Sequence, residues 1–158
     1  MNINKPFETF EKTAFRLEAL PTYIVENEKQ AVETFKTTGQ LIKNDASRWA
    51  DIVADNVGMG KSMKRLRLLS DELTVYEQYE LQAYPGIQHG EDIRVNARSS
   101  YAKEYLYDFW FFDDAYIAQM QYEPDGTFMH MDIRTASNEE KHMLEYWLSI
   151  FNQSTKLQ

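Results

Sequence analysis

Two periods of apolar residues alternate along the chain, and the switches between them mark its elements. Pro6 suits a first helical turn, and Phe7, Phe10, Ala14 and Leu17 keep helical spacing, although "FRLEALP" up to Pro21 reads equally as extended chain. From about Asn27, "NEKQAVETFKTTG" predicts a helix with Val32 and Phe35 inward and Gly39 just past its end. A second helix follows around "ASRWADIVADN", beginning at Ala46. The period then drops to two: in "MKRLRLLS" Leu66 and Leu68 point one way, Arg65 and Arg67 the other.

Helical spacing returns in "LTVYEQYELQAY", with Leu73, Tyr76, Tyr79 and Ala83 on one face and Glu80 at its margin, before Pro85-Gly86 interrupts the run. "EDIRVNAR" alternates again, setting Ile93, Val95 and Ala97 opposite Asp92, Arg94, Asn96 and Arg98. "DFWFF" is an aromatic strand ending in an aspartate turn, and "YIAQMQY", the Pro124-Asp125-Gly126 turn and "TFMHMDIR" form a hairpin. In its second strand Met129, Met131 and Ile133 share one face, His130, Asp132 and Arg134 the other. Ser137 and Glu140 then make a capping box for a last helix whose stripe of Met143, Trp147, Ile150 and Phe151 covers a sheet. The pattern predicts a single α/β or α+β domain over residues 1–158: a central mixed sheet of about five strands with a C-terminal hairpin, flanked by helices.

Composition narrows the chemistry. With 43% hydrophobic residues, 158 residues can bury a sizeable core. The absence of cysteine excludes disulfides, thiolate nucleophiles, iron–sulfur clusters and cysteine-based zinc sites. A net charge of −8 argues against a general nucleic-acid-binding surface, which needs lysine and arginine to displace counterions; "GKSMKRLR" is the one basic patch. No apolar run approaches the roughly 20 residues that span a bilayer, and "MNINKPFETFEK" has no secretory pattern, so a cytoplasmic location away from membranes is expected.

Candidate chemistry comes from charges that alternation sets on one side of strands: Arg65 with Arg67, Asp92 with Arg94, and His130, Asp132 and Arg134. Either they form a solvated or salt-bridged sheet face, or they line a polar pocket. Glu91, Asp92, Asp108, Asp113 and Asp114 form an oxygen-rich set suited to a hard divalent cation, but adjacent strand residues face opposite ways, and aspartates ending a strand are commonly turn residues. None of the three histidines has zinc spacing, no GxSxG elbow is present, and "GMGKS" lacks the first Walker A glycine. No metal or other cofactor is therefore expected.

"AFRLEALPTY", "GKSMKRLRLLSDELTVYEQYEL", "GEDIRV" and "DFWFFDD" together resemble a family of small bacterial proteins described only as a domain of unknown function. Members resemble companions of helix-turn-helix regulators in Gram-positive genomes, which implies a regulatory or mobile-element role. A weaker resemblance, in the order of elements, is to one half of a phospholipase D-like domain. Its HxKx4D motif is missing: with Asp113 as the aspartate, Leu106 and Asp108 occupy the histidine and lysine positions, and with Asp114, Tyr107 and Phe109 do. The resemblance implies a degenerate, non-catalytic version.

The sequence thus points to a regulatory module that binds a protein partner or small ligand through Arg16, Arg65, Arg67, Asp92, Arg94, Trp110, Asp113 and Asp114, with a homodimer as a further expectation. A metal-dependent hydrolase or nuclease using Asp92, Asp113 or Asp114 is the alternative. An acidic DNA mimic or anti-defence protein is the third reading, since its net charge disfavours direct DNA binding.

Overall fold

A computed structural model describes residues 5–42 and 47–157. Seven strands form one mixed sheet in the order β6-β5-β4-β1-β2-β3-β7. Its centre is parallel: β1 (Thr13–Glu18), β2 (Ser62–Leu69) and β3 (Asp92–Ala97). On one side β4 (Phe109–Phe112), β5 (Tyr116–Tyr122) and β6 (Phe128–Thr135) follow β1, each antiparallel to the strand beside it, and on the other the two-residue β7 (Thr155–Lys156) runs antiparallel to β3. Parallel neighbours need long crossovers. Here these carry α2 (Lys29–Thr38) and α3 (Ser47–Gly58) between β1 and β2, and α4 (Val75–Ile87) between β2 and β3. A short α1 (Lys5–Thr9) precedes β1, and α5 (Asn138–Gln153) closes the chain ahead of β7.

The two sheet faces have different chemistry. One is apolar: Phe15, Leu17, Leu66, Leu68, Phe109, Phe111 and Ile117 pack against Leu144, Trp147 and Phe151 of α5. Both bonds of the Ser137/Glu140 capping box form at the start of that helix. The opposite face lies under α1 to α4 and is apolar only in part. At one end Phe7, Phe10 and Val53 meet Met63, Trp110 and Phe112, and at the other Ala31 and Phe35 of α2 meet Tyr23, Tyr76 and Tyr79.

Three expectations need correction. The sheet has seven strands rather than about five, because "TAFRLE", within the stretch left open between helix and extended chain, is β1, and because β7 is too short to carry a periodic signal. Phe15 and Leu17 face α5 while Ala14 lies on the opposite side, a period of two that the flanking aromatics disguise as helical spacing. Pro85 does not end α4, which continues to Ile87; Pro85 sits in the last turn, where its missing N–H costs one bond. The helix predicted from Ala46 begins within the described residues at Ser47; Ala46 itself lies outside them.

Candidate functional site

Register explains how charge comes to be buried. Arg16 pairs with Arg65 and Glu18 with Arg67 across β1 and β2, and Arg16 with Trp110 across β1 and β4. Paired residues share a face, so the side chains of Arg16, Glu18, Arg65, Arg67 and Trp110 all lie beneath the helices. Arg67 is 0% exposed and Arg16 4%. Such charges must be paired, because an isolated one costs several kcal/mol or more.

Each arginine has its own carboxylate. Arg16 Nη2 donates to Asp108 Oδ2 at 3.0 Å and to the Tyr122 hydroxyl at 3.1 Å. Asp108 also accepts from the Ala19 amide at 3.0 Å and from the Tyr23 hydroxyl. Arg65 bridges two acids, Glu18 at 2.8 Å and Glu91 at 2.9 Å, with its guanidinium 5.6–5.9 Å from the ring centres of Trp49, Trp110 and Tyr84. Arg67 Nε donates to Glu80 Oε1 at 2.8 Å. Its Nη2 is equally close to that oxygen but is not aligned to donate, so Nε carries the bond.

Three guanidinium groups therefore face four carboxyl groups, those of Glu18, Glu80, Glu91 and Asp108. The Tyr84 hydroxyl resolves the excess: it lies 3.2 Å from Glu18 Oε1 and 3.0 Å from Glu80 Oε2. One phenolic proton cannot serve both acids, but a proton on Glu80 lets it donate to Tyr84, which then donates to Glu18. Burial, reinforced by the neighbouring Glu18 carboxylate and opposed by Arg67, pushes Glu80 up to about 8. Glu18 goes the other way: burial would raise it, but Arg65, Arg16 and Arg67 together hold it at about 2. With Glu80 protonated, three positive charges meet three negative ones.

Stability follows with a definite sign. Glu80 titrates higher in the folded chain than its ordinary 4.5, so its contribution is complete below about 4.5 and is lost as pH rises to about 8. Glu80→Gln fixes the neutral form and keeps both an acceptor for Arg67 and a donor for Tyr84. Urea titrations from pH 5 to 9 are expected to show the wild-type stability falling more steeply with pH than that of Glu80→Gln; parallel curves would remove the proton from Glu80.

The remaining sequence candidates lie elsewhere. Asp92 and Arg94 are on the α5 side, where Arg94 binds Asp92 at 3.1 Å and covers Phe151 at 4.4 Å. Arg134, also on that side, bonds Asp132 and Glu140. Asp113 and Asp114 form the β4–β5 turn at φ +56° and +54°, a region that aspartate tolerates and tight hairpins demand. The Asp113 carboxylate accepts the amides of Glu11, Lys12 and Thr13 at 2.6–3.0 Å. Partial burial would raise its pKa, but those amides hold it below the ordinary value. Among the described residues no group of three or more histidine or acidic side chains is arranged to hold a metal ion.

Sequence reasoning missed Glu18, Glu80, Glu91, Asp108 and the three tyrosines as members of one cluster. The findable signal was alternation in "TAFRLE", which sets Arg16 and Glu18 on one face once it is read as a strand.

Two of the clefts among the described residues bear on function. One, of about 510 Å³, lies beyond the C-terminal ends of β2 and β3 and is lined by Ser70, Asp71, Asn96 and Ser154 among others. The other, of about 450 Å³, lies between the β1–α2 connection, α2 and the start of α4. Tyr23 and Tyr76 line it from the interior, Val25, Val32 and Val75 supply apolar surface, and Glu28, Lys29, Glu33 and Lys36 supply charge. Tyr76 donates to Glu28 at 2.8 Å, and Tyr23 joins this cleft to the buried cluster through Asp108. No described helix is long and apolar enough to cross a membrane. A family model described as a domain of unknown function, DUF6879, matches residues 1–158. No curated protein matches the chain.

Proposed function

This chain belongs to the DUF6879 family along its whole length, and from that premise we propose a non-catalytic regulatory module that holds a segment of a protein partner in the cleft between α2 and α4. The observation that carries the reading is the make-up of this cleft: tyrosines and valines inside and four charged side chains around them, the apolar centre and polar rim of a protein interface. The charges that could otherwise do chemistry support it, since Arg16, Arg65 and Arg67 are engaged with acids beneath the helices. On this reading these arginines and Trp110 position the framework, and contact with the partner passes to α2 and α4. The resemblance noted above implies a helix-turn-helix regulator as the partner.

Val75 tests the proposal because it is 40% exposed and stands in the first turn of α4, where an acidic residue suits the helix dipole. Val75→Asp is expected to fold as the wild type does, yet to weaken capture of a co-expressed helix-turn-helix regulator by about tenfold or more, roughly 1.4 kcal/mol. Wild-type affinity in this variant, measured by calorimetry, would remove the cleft from the interface.

A further inference from the structure

The cleft between α2 and α4 holds an acid to which the described part of the chain supplies no cation. Each fully buried acid has an arginine: Asp108 has Arg16, Glu18 and Glu91 share Arg65, Glu80 has Arg67 and Glu77 has Arg98. Such pairing offsets the cost of taking a carboxylate out of water. Glu28 departs from the pattern. It is half-buried and lines the cleft, yet it pairs with no lysine or arginine among the described residues. Its neighbour Lys29 turns to the exposed Glu26 instead, at 2.9 Å.

The bonds of Glu28 show what is left over. Its Oε1 accepts the Tyr76 hydroxyl at 2.8 Å, and its Oε2 takes no bond from a described residue. A carboxylate has roughly four acceptor sites, so capacity remains on both oxygens. Burial pushes the carboxyl above its ordinary value and Glu18 adds to the push, while the Tyr76 bond and Arg65 offset it only in part. The site is short of positive charge. Around it stand Tyr23 and Tyr76, ring centres 5.9 Å apart, and the apolar surface of Val25, Val32 and Val75.

We propose that Glu28 receives an arginine side chain of the partner segment, with the guanidinium on its carboxylate and the methylenes on Val25, Val32 and Val75. The assignment rests on the reading of this cleft as a partner site and names what the cleft reads there. Arginine suits it better than lysine: a guanidinium is more weakly hydrated than an ammonium, and it offers two parallel N–H groups to one carboxylate. Glu33 adds negative charge at the rim, and Lys36, on the same helix, repels a second cation. One arginine among apolar neighbours fits this balance, where a run of basic residues does not.

Acetyl-arginine amide is the probe, and acetyl-citrulline amide, of the same shape without the charge, is its control. In amide-detected NMR titrations the arginine probe is expected to shift Val25 to Lys29 and Val75 to Tyr76 saturably, with a millimolar dissociation constant, and the citrulline control to leave them in place. Glu28→Gln keeps the size of the side chain and an oxygen for Tyr76, so it should fold as the wild type does. It is expected to weaken binding of the probe at least about fivefold. Equal shifts from the two compounds, no shift from either, or an unchanged dissociation constant in Glu28→Gln would overturn the assignment. Capture of the regulator separates this from the reading beneath it. A regulator lost by Val75→Asp and retained at full affinity by Glu28→Gln would keep the cleft as the partner site and overturn the role of Glu28. Arginine bound through Glu28 in a protein that captures no regulator would uphold the arginine site and sink the regulator as its partner.

Discussion

Asp108→Ala is expected to cost about 3–5 kcal/mol of unfolding free energy, because it removes the partner of a buried arginine and leaves the charge behind. Asp108 is 3% exposed and accepts from Arg16, the Ala19 amide and Tyr23, tying the end of β1, the start of β4 and the following connection together. After its loss Arg16 keeps only neutral acceptors, Tyr122 at 3.1 Å and the carbonyls of Leu17 and Phe109. A melting temperature lower by about 10 °C or more is the expected readout for a domain of this size. Adding Arg16→Met should restore part of the loss, since the orphaned charge goes with it. A fall below about 1 kcal/mol in the single variant, or a double variant weaker than the single, would show that the pair is not buried as described.

Gly126→Ala comes next in size. Gly126 has φ +96°, and a Cβ there would stand 2.3 Å from the Thr22 carbonyl oxygen and 3.1 Å from Tyr23 Cα, backbone atoms that cannot give way alone. The same glycine accepts the Ile24 amide at 3.0 Å, so the β5–β6 turn is docked on the segment that edges the cleft. Strain and overlap together are expected to cost about 3 kcal/mol or more by urea unfolding. Binding by the cleft should weaken with it. Gly39, at φ +73° with no atom within 4 Å of its Cβ position, supplies the control: Gly39→Ala should lose only about 1–2 kcal/mol. Equal losses at the two sites would mean that the turn does not press on Thr22.

Elements with many turns of one period were legible in the sequence. β2, the β5–β6 hairpin and α5 with its Ser137/Glu140 cap lie where alternation and capping chemistry place them. β1 was not, because six residues carry too few repeats to separate a period of two from 3.6 when phenylalanines flank them. The buried cluster was legible only in halves. Alternation puts Arg65 and Arg67 together, but it does not say that helices cover that face, and the partners Glu80 and Asp108 stand 13 and 92 residues from the arginines they neutralise. The aspartate turn after "DFWFF" was legible from residue preference alone, though not the use of Asp113 to gather the three amides leading into β1.

The central claim is that the strand-borne charges form a closed structural network and that recognition occurs outside it. Native-state hydrogen exchange, resolved by residue, tests this most directly. The account predicts that amides of Arg16 to Glu18 and Arg65 to Leu68 exchange only through global unfolding, while those of Thr22 to Val25 and the start of α2 open at lower free energy. Exchange of the Arg16 and Arg65–Arg67 amides through local openings that bare the cluster to solvent would contradict it.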